Sequence, residues 1–192
     1  MLYTPIQMRV MTVKLIRTIT DSDFIGGRMT LLPFVSRVAS RGVLLNDKQQ
    51  IAMMDLAALK LAKLPGGGVE KGENYEQAFV REIKEETGYV CEIVHALGYI
   101  DEHKNRNHFM QRSYCYIATA SDDCGPVMLT AQEKRLGMSL TWMNMKDAIR
   151  QLAQSAATLK DHSTRFMLLR DLTIVQEADK WLIGRTAEAS GG

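Results

Sequence analysis

Cysteine is scarce in this chain, and long apolar runs are missing. The three cysteines form an odd set without the spacing of metal ligands, which predicts reduced thiols in a cytosolic protein: Cys91, Cys115 and Cys124. No apolar run approaches membrane-spanning length, and the first ten residues, MLYTPIQMRV, lack the apolar core of a signal peptide. We therefore expect a cytoplasmic protein that has no membrane partner.

An excess of charge of one sign is also missing. The 24 basic and 22 acidic residues leave a net charge of +2, so no global field argues for nucleic-acid binding. Any basic pocket must therefore be local. The chain of 192 residues, 46% of them hydrophobic, can bury a full core and is most simply one domain.

A cluster of glutamates is the most informative feature that is present. The segment GGVEKGENYEQAFVREIKEETGY, residues 67–89, holds Glu82, Glu85 and Glu86 at i, i+3 and i+4 of a predicted helix. Like charges stacked this way destabilise an isolated helix by roughly 0.2–0.5 kcal/mol per pair, so the cluster calls for a counter-charge. Hard oxygen ligands suit Mg²⁺ or Mn²⁺, which also bind substrate phosphates. The alternative is an ordinary solvated helix surface.

The same segment resembles the Nudix box at every specified position, with an aromatic Tyr89 where an aliphatic residue is usual. The matching residues are Gly67, Glu73, Arg81, Glu82, Ile83, Glu85, Glu86, Gly88 and Tyr89. A weaker resemblance to Nudix hydrolases extends from about residue 37 to about residue 152. It implies an α/β fold, an α/β/α sandwich with a mixed β-sheet, and metal-dependent hydrolysis of a nucleoside diphosphate linked to another group.

The resemblance also implies roles for single residues. Glu82, Glu85 and Glu86 are expected to be catalytic metal ligands, one of them serving also as the base, with the Gly66 carbonyl as an additional ligand. Arg81 is expected to pair with Glu73, on a helix face different from that of Glu85. Gly67 and Gly88 are expected to shape the box.

Further candidates lie outside the box. Glu133, nine residues before Trp142, occupies the place of an additional catalytic glutamate; the alternative is a glutamate at a loop or helix start. Arg37 and Arg41 share one face of a predicted strand and would contact phosphates or a base, unless that face is merely exposed. Glu102 is a substrate candidate or an exposed turn carboxylate. Arg106 lies in a polar loop that is either a lid or a solvated hairpin end.

Periodicity and turn signals predict the elements. We expect strands at 8–19, 31–35, 38–45, 50–54, 90–100, 112–120 and 140–143, and helices at 74–87, 145–153 and 161–182. The predicted organisation is an N-terminal extension (1–30), a Nudix hydrolase domain (31–155), and a C-terminal helix with a disordered tail (156–192). Arg165, Arg170 and Asp171 are interpreted as salt-bridged surface or dimer residues, and a homodimer is compatible with these extensions.

The substrate is left open by the sequence. Marks of the ADP-ribose, dinucleoside-polyphosphate, NADH and coenzyme-A subfamilies are absent, which favours a small-molecule nucleotide substrate, a nucleoside triphosphate or modified nucleotide. A nucleotide sugar or ADP-ribose is the alternative. A further alternative, of another class, is a nucleotide-sensing module that has the fold without the chemistry.

Overall fold

Helices and strands cover most of residues 13–190, which this computed structural model describes, with the side chains of residues 122, 123 and 188–190 left aside. The strands are β1 (Leu15–Thr20), β2 (Arg37–Leu45), β3 (Ile51–Leu56), β4 (Leu61–Lys63), β5 (Gly66–Gly68), β6 (Tyr89–Lys104), β7 (Phe109–Cys124) and β8 (Met138–Met143). The helices are α1 (Ser22–Ile25), α2 (Tyr75–Thr87), α3 (Ala131–Arg135), α4 (Met145–Thr158) and α5 (His162–Ser190).

The strands form one mixed sheet. Its order is β1-β6-β7-β2-β3-β4, with β5 paired to β2 and β8 paired to β3. The β1–β6 and β2–β7 pairs are parallel, and the other pairs are antiparallel. The prediction of an α/β fold with a mixed sheet is confirmed.

Apolar side chains bury both faces of this sheet. On one face, Phe79 and Ile83 of α2 pack against Leu44 and Tyr116. The other face packs against α4 and α5 through residues such as Phe166. Burial on both faces fixes the sheet between two helical layers, so α2 is held rigidly beside β5, which precedes it in the chain.

Two predicted elements are wrong. Residues 31–35 form no strand; Pro33 has no N–H to donate, and Leu31, Phe34 and Val35 are exposed. Residues 184–190, predicted to be disordered, continue α5 to Ser190. Arg185 lies over the Trp181 ring, which ties this last part to the preceding turn. Of the strand predicted at 8–19, residues 8–12 lie outside the described residues.

The β6–β7 hairpin is longer than predicted. Each strand has 16 residues, whereas the sequence predicted 90–100 and 112–120. The difference lies partly in the charged segment from Asp101 to Lys104, whose polarity indicated a turn. Within residues 13–190, no helix combines the length and the apolar character that crossing a membrane requires.

Candidate active site

Helix α2 is fixed at both ends by its own sequence. The Asn74 side chain accepts a hydrogen bond from the Gln77 amide at 2.8 Å, and the Gln77 side chain accepts one from the Asn74 amide at 2.9 Å. Gly88 ends the helix in the left-handed region with φ of 80°, where a side chain would be strained. The glutamates of the helix are therefore held at defined heights above the sheet.

Arg81 is the centre of the polar network on α2. Its Nε and Nη2 donate to the two carboxylate oxygens of Glu73 at 3.0 and 2.8 Å, and Nη2 also donates to the Gly68 carbonyl at 2.9 Å. The pair with Glu73 that the resemblance implies is therefore present. These bonds raise the pKa of Arg81 above its usual range and lower that of Glu73.

The same guanidinium also contacts two further glutamates. Its Nη1 donates to Glu82 at 3.0 Å and to Glu85 at 2.9 Å. The prediction that Arg81 and Glu85 occupy different helix faces is wrong, because residues four apart lie on adjacent turns of the same face. Burial, followed by the charge of Glu86, raises the pKa of Glu82. Repulsion among the carboxylates is thus only partly relieved.

Glu86 is the buried member of the set, with 3% of its surface exposed. Its Oε1 lies 2.6 Å from Lys63 Nζ, and its Oε2 accepts a hydrogen bond from the Gly66 amide at 2.8 Å. Sequence reasoning missed Lys63, since a lysine on a short strand carries no signal for this contact.

The glycines of the box permit close approaches. A Cβ on Gly67 would lie 2.3 Å from a Glu82 carboxylate oxygen. Gly66 has φ of 132°, and a Cβ there would lie 2.4 Å from the Cβ of Arg41. Only bare backbone can pass between the glutamates of α2 and strand β2.

The donor set has the chemistry of a divalent-cation site. No group of three or more His, Cys, Asp or Glu side chains within residues 13–190 is already arranged as metal ligands, and Arg81 and Lys63 engage the carboxylates. Nevertheless, four glutamates face only these two cations, which leaves two negative charges. Clustered carboxylate oxygens in excess are the ligands that Mg²⁺ and Mn²⁺ prefer.

A cavity of about 510 Å³ opens beside Glu86. Five basic residues line it: Arg37, Arg41, Lys63, Lys104 and Arg170. Five aliphatic residues also line it: Leu56, Leu59, Leu136, Met138 and Met167. The cavity therefore offers positive charge and apolar surface next to the carboxylates.

The structure brings some of the predicted site residues to this cavity. Those that line it are Gly66, Gly67, Glu86, Glu133, Arg37 and Arg41. Glu82 and Glu85 do not line it; the Glu82 carboxylate lies against Gly67, which does, and Glu85 is hydrogen-bonded to Arg81, which does not. Arg106 does not line it; its side chain is exposed in the short 3₁₀ turn between β6 and β7.

Glu133 lies both at the start of a helix and at the cavity. It lines the cavity, and it also caps α3, where its Oε2 accepts hydrogen bonds from the Thr130 amide at 2.7 Å and from the Thr130 hydroxyl at 2.9 Å. Its position is thus that of a helix-start glutamate at the edge of the candidate site.

Glu102 is not an exposed turn carboxylate, and it is not among the residues that line the cavity. It is fully buried, and its Oε2 accepts hydrogen bonds from Gln111 at 2.9 Å and from Arg170 at 3.2 Å. Arg170 also donates to Asp171 at 2.8 Å, so the predicted salt bridge is present, but the two residues are buried and their placement on the surface is wrong. The other oxygen of Glu102, Oε1, has no hydrogen-bond partner among the described residues and lies 3.4 Å from Lys104 Nζ.

With this geometry in place, the comparison with known proteins decides the family. Residues 35–165 match the family model described as NUDIX domain. The chain belongs to the Nudix family. It is 36% identical over 84 residues to putative nudix hydrolase 1 of Caenorhabditis elegans, covering 44% of this chain and 20% of that protein. It is 51% identical over 47 residues to a putative 8-oxo-dGTP diphosphatase of Bacillus subtilis, covering 24% and 32%.

The fold of this Nudix protein also has solved counterparts. A NUDIX hydrolase from Nitrosomonas europaea superposes with a TM-score of 0.57 at 17% identity, covering 77% of this chain and 89% of that one. At that identity the likeness shows the fold alone. The chain spans a fifth and about a third, respectively, of the lengths of the two curated relatives named above.

Proposed function

We propose that this Nudix protein hydrolyses the phosphoanhydride of a nucleoside diphosphate linked to another group. The observation that carries the proposal is Glu86, a member of the glutamate-rich face of α2, which lines a cavity that five basic residues also line. Carboxylates in excess attract a divalent cation, and the basic residues attract phosphates. The two together are what cleavage between two phosphates requires.

The box residues would hold the cation, Mg²⁺ or Mn²⁺. We assign this role to Glu82, Glu85, Glu86 and the Gly66 carbonyl. When bound, the cation neutralises charge on the diphosphate and lowers the pKa of a water molecule. One of the three glutamates accepts the proton of that water, and Glu133 is a further candidate base at the cavity edge.

Other residues of the box would orient these ligands. Arg81 ties the Glu73 loop and the Gly68 carbonyl to α2, so it holds the glycine bend against the helix. Gly67 leaves room for the Glu82 carboxylate, and Gly88 sets where the helix ends. Arg37, at the rim of the cavity, would meet the charge of an incoming substrate.

Our first choice of substrate is a nucleoside triphosphate or modified nucleotide, cleaved to a monophosphate and pyrophosphate. The printed name of the Bacillus relative, a putative 8-oxo-dGTP diphosphatase, supports this class. The aliphatic residues that line the cavity would cover the base and sugar. A nucleotide sugar or ADP-ribose is the alternative, and the same cavity would hold it with its diphosphate at the same carboxylates.

A panel assay tests the proposal. The purified protein is incubated with Mg²⁺ and with nucleoside triphosphates, modified nucleotides, nucleotide sugars, ADP-ribose and dinucleoside polyphosphates, and phosphate-containing products are identified. Release of a nucleoside monophosphate is the expected result. Thermal stabilisation by a nucleotide without any turnover would instead assign the chain to a nucleotide-sensing module.

The cytoplasmic location and the homodimer remain proposals, as do the domain limits at residues 30 and 155. Light scattering on the purified protein in solution distinguishes a monomer of 21.6 kDa from a dimer.

A further inference from the structure

Arg41 is a buried cation on the floor of the cavity. It lies in β2 directly opposite Gly66 of β5, the residue whose amide binds Glu86. Only 5% of its surface is exposed, and it lines the cavity together with Glu86. Its backbone is thus one strand away from the Gly66 amide that holds Glu86.

Arg41 has almost no protein partner. Among residues 13–190, its one hydrogen bond runs from Nε to Ser113 Oγ at 3.4 Å, and no carboxylate lies within ion-pair distance. A guanidinium carries five N–H donors in a planar fork. Most of these donors therefore have no acceptor among the described residues. A buried charge without a partner is costly, so these donors suit an acceptor group that enters the cavity.

Its charged neighbours are already engaged. Arg170 pairs with Glu102 and Asp171, and Lys104 lies 3.4 Å from Glu102. Burial first, and then the like charge of Arg170, lower the pKa of Arg41 to about 10, so the side chain stays charged at neutral pH. Glu102 and Asp171 also attract Arg41, but both are paired with Arg170 or Lys104, so three cations share two carboxylates and one positive charge is left in excess.

We propose that Arg41 forms a phosphate subsite on the floor of the cavity, which takes one phosphate group of the substrate through the two Nη atoms. This inference deepens the proposed function and rests on it for the identity of the substrate. A planar fork matches two oxygens of a phosphate, and the match gives short, charge-assisted hydrogen bonds. A nucleobase edge would not neutralise the positive charge of Arg41.

The test measures anion binding without turnover. Inorganic phosphate, pyrophosphate and tripolyphosphate are titrated by calorimetry into the full chain in EDTA, so that no divalent cation contributes. We expect binding of pyrophosphate to weaken about tenfold to a hundredfold in both Arg41→Met and Arg41→Lys. Lysine keeps the charge but cannot make the paired contact.

Two further variants serve as controls. Arg37→Met removes a cation at the rim and should weaken binding less, whereas Arg150→Gln, far from the cavity on α4, should leave it unchanged. Circular dichroism of both Arg41 variants without anion should match that of the wild type. Arg41→Lys keeps the positive charge near Glu102, so a loss of pyrophosphate binding in folded Arg41→Lys reports the paired contact and not the fold. Unchanged pyrophosphate binding by Arg41→Lys would overturn the proposal.

The outcomes separate this proposal from the proposed function. If Arg41→Met binds pyrophosphate as the wild type does while the wild type turns over nucleotides, the subsite is wrong and the hydrolase stands. If the wild type shows no turnover but its pyrophosphate binding depends on Arg41, the subsite stands and the hydrolase fails. If the wild type binds none of the three anions in EDTA, the subsite is wrong.

Discussion

Two charged clusters flank the cavity, and they differ in the sign of the charge that is left over. The first, which we call the box cluster, contains four carboxylates and two cations: Glu73, Glu82, Glu85, Glu86, Arg81 and Lys63. The second, which we call the buried cluster, contains two carboxylates and three cations: Glu102, Asp171, Arg41, Lys104 and Arg170. The box cluster has two negative charges in excess, and the buried cluster has one positive charge in excess.

The difference in exposure matters as much as the difference in sign. In the box cluster Glu85 keeps 34% of its side chain exposed, whereas Glu102 and Asp171 in the buried cluster are fully covered. Exposed carboxylates can exchange one cation for another at little cost, but buried ones depend on the partner they have. The box cluster is thus suited to ligand exchange at Glu85, its most exposed carboxylate, and most of the buried cluster is suited to holding the fold.

The largest expected effect is the loss of turnover on removing one box carboxylate. Glu85→Gln should lower kcat by roughly 10²–10⁴-fold, because a metal ligand or base is lost while the helix is kept. Circular dichroism should remain that of the wild type. Glu76→Gln, an exposed glutamate in the first turn of the same helix, is the matched control and should keep its activity.

A stability effect is expected from the buried cluster. Arg170→Met leaves Glu102 and Asp171 without their main cation, so it should lower the free energy of unfolding by about 3–5 kcal/mol. Urea denaturation measures this. A change below about 1 kcal/mol would show that Arg41 and Lys104 replace Arg170, and the comparison between the clusters would lose its basis.

The free energy of unfolding should depend on pH in part through the ionisation of Glu102. Burial alone would raise the pKa of Glu102, but the charges of Arg170, Lys104 and Arg41 prevail and lower it. A lowered carboxyl pKa contributes stability that is complete above the unfolded value of about 4.3 and is lost as the pH falls through the folded value. The free energy of unfolding of Glu102→Gln should therefore depend less on pH below about 4.3 than that of the wild type. Equal acid slopes would contradict this assignment.

The smallest effect is expected at an exposed ion pair. Lys180, with 72% of its side chain exposed, pairs with Glu177 on α5 at 2.7 Å. Lys180→Met should change the free energy of unfolding by less than about 1 kcal/mol, because solvent screens such pairs. A large loss here would mean that α5 carries more of the fold than its contacts indicate.

The sequence predicted what depends on local spacing. Helix α2, its Asn74 cap and its Gly88 end follow from neighbouring residues, and all three are present. The pair of Arg81 with Glu73 followed from the box pattern. By contrast, the contact of Lys63 with Glu86 joins residues 23 apart and left no local mark.

Long-range burial of charge was the main source of error. The bond between Glu102 and Arg170 spans 68 residues, so each residue alone reads as a surface residue. The polarity of residues 101–104 is also the reason why the predicted strand ended at residue 100, whereas β6 continues to Lys104. Whether a charged residue is buried depends on a partner that only the fold supplies.

Titration of Mn²⁺ into the metal-free protein, followed by electron paramagnetic resonance, tests the central claim most directly. The loss of the free-ion signal counts bound cations without requiring a substrate. We predict that the wild type binds Mn²⁺ and that Glu85→Gln and Glu86→Gln bind it much more weakly, while Glu76→Gln binds it unchanged. Equal binding by the wild type and both box variants, or no binding at all, would contradict the assignment of the α2 carboxylates as a cation site.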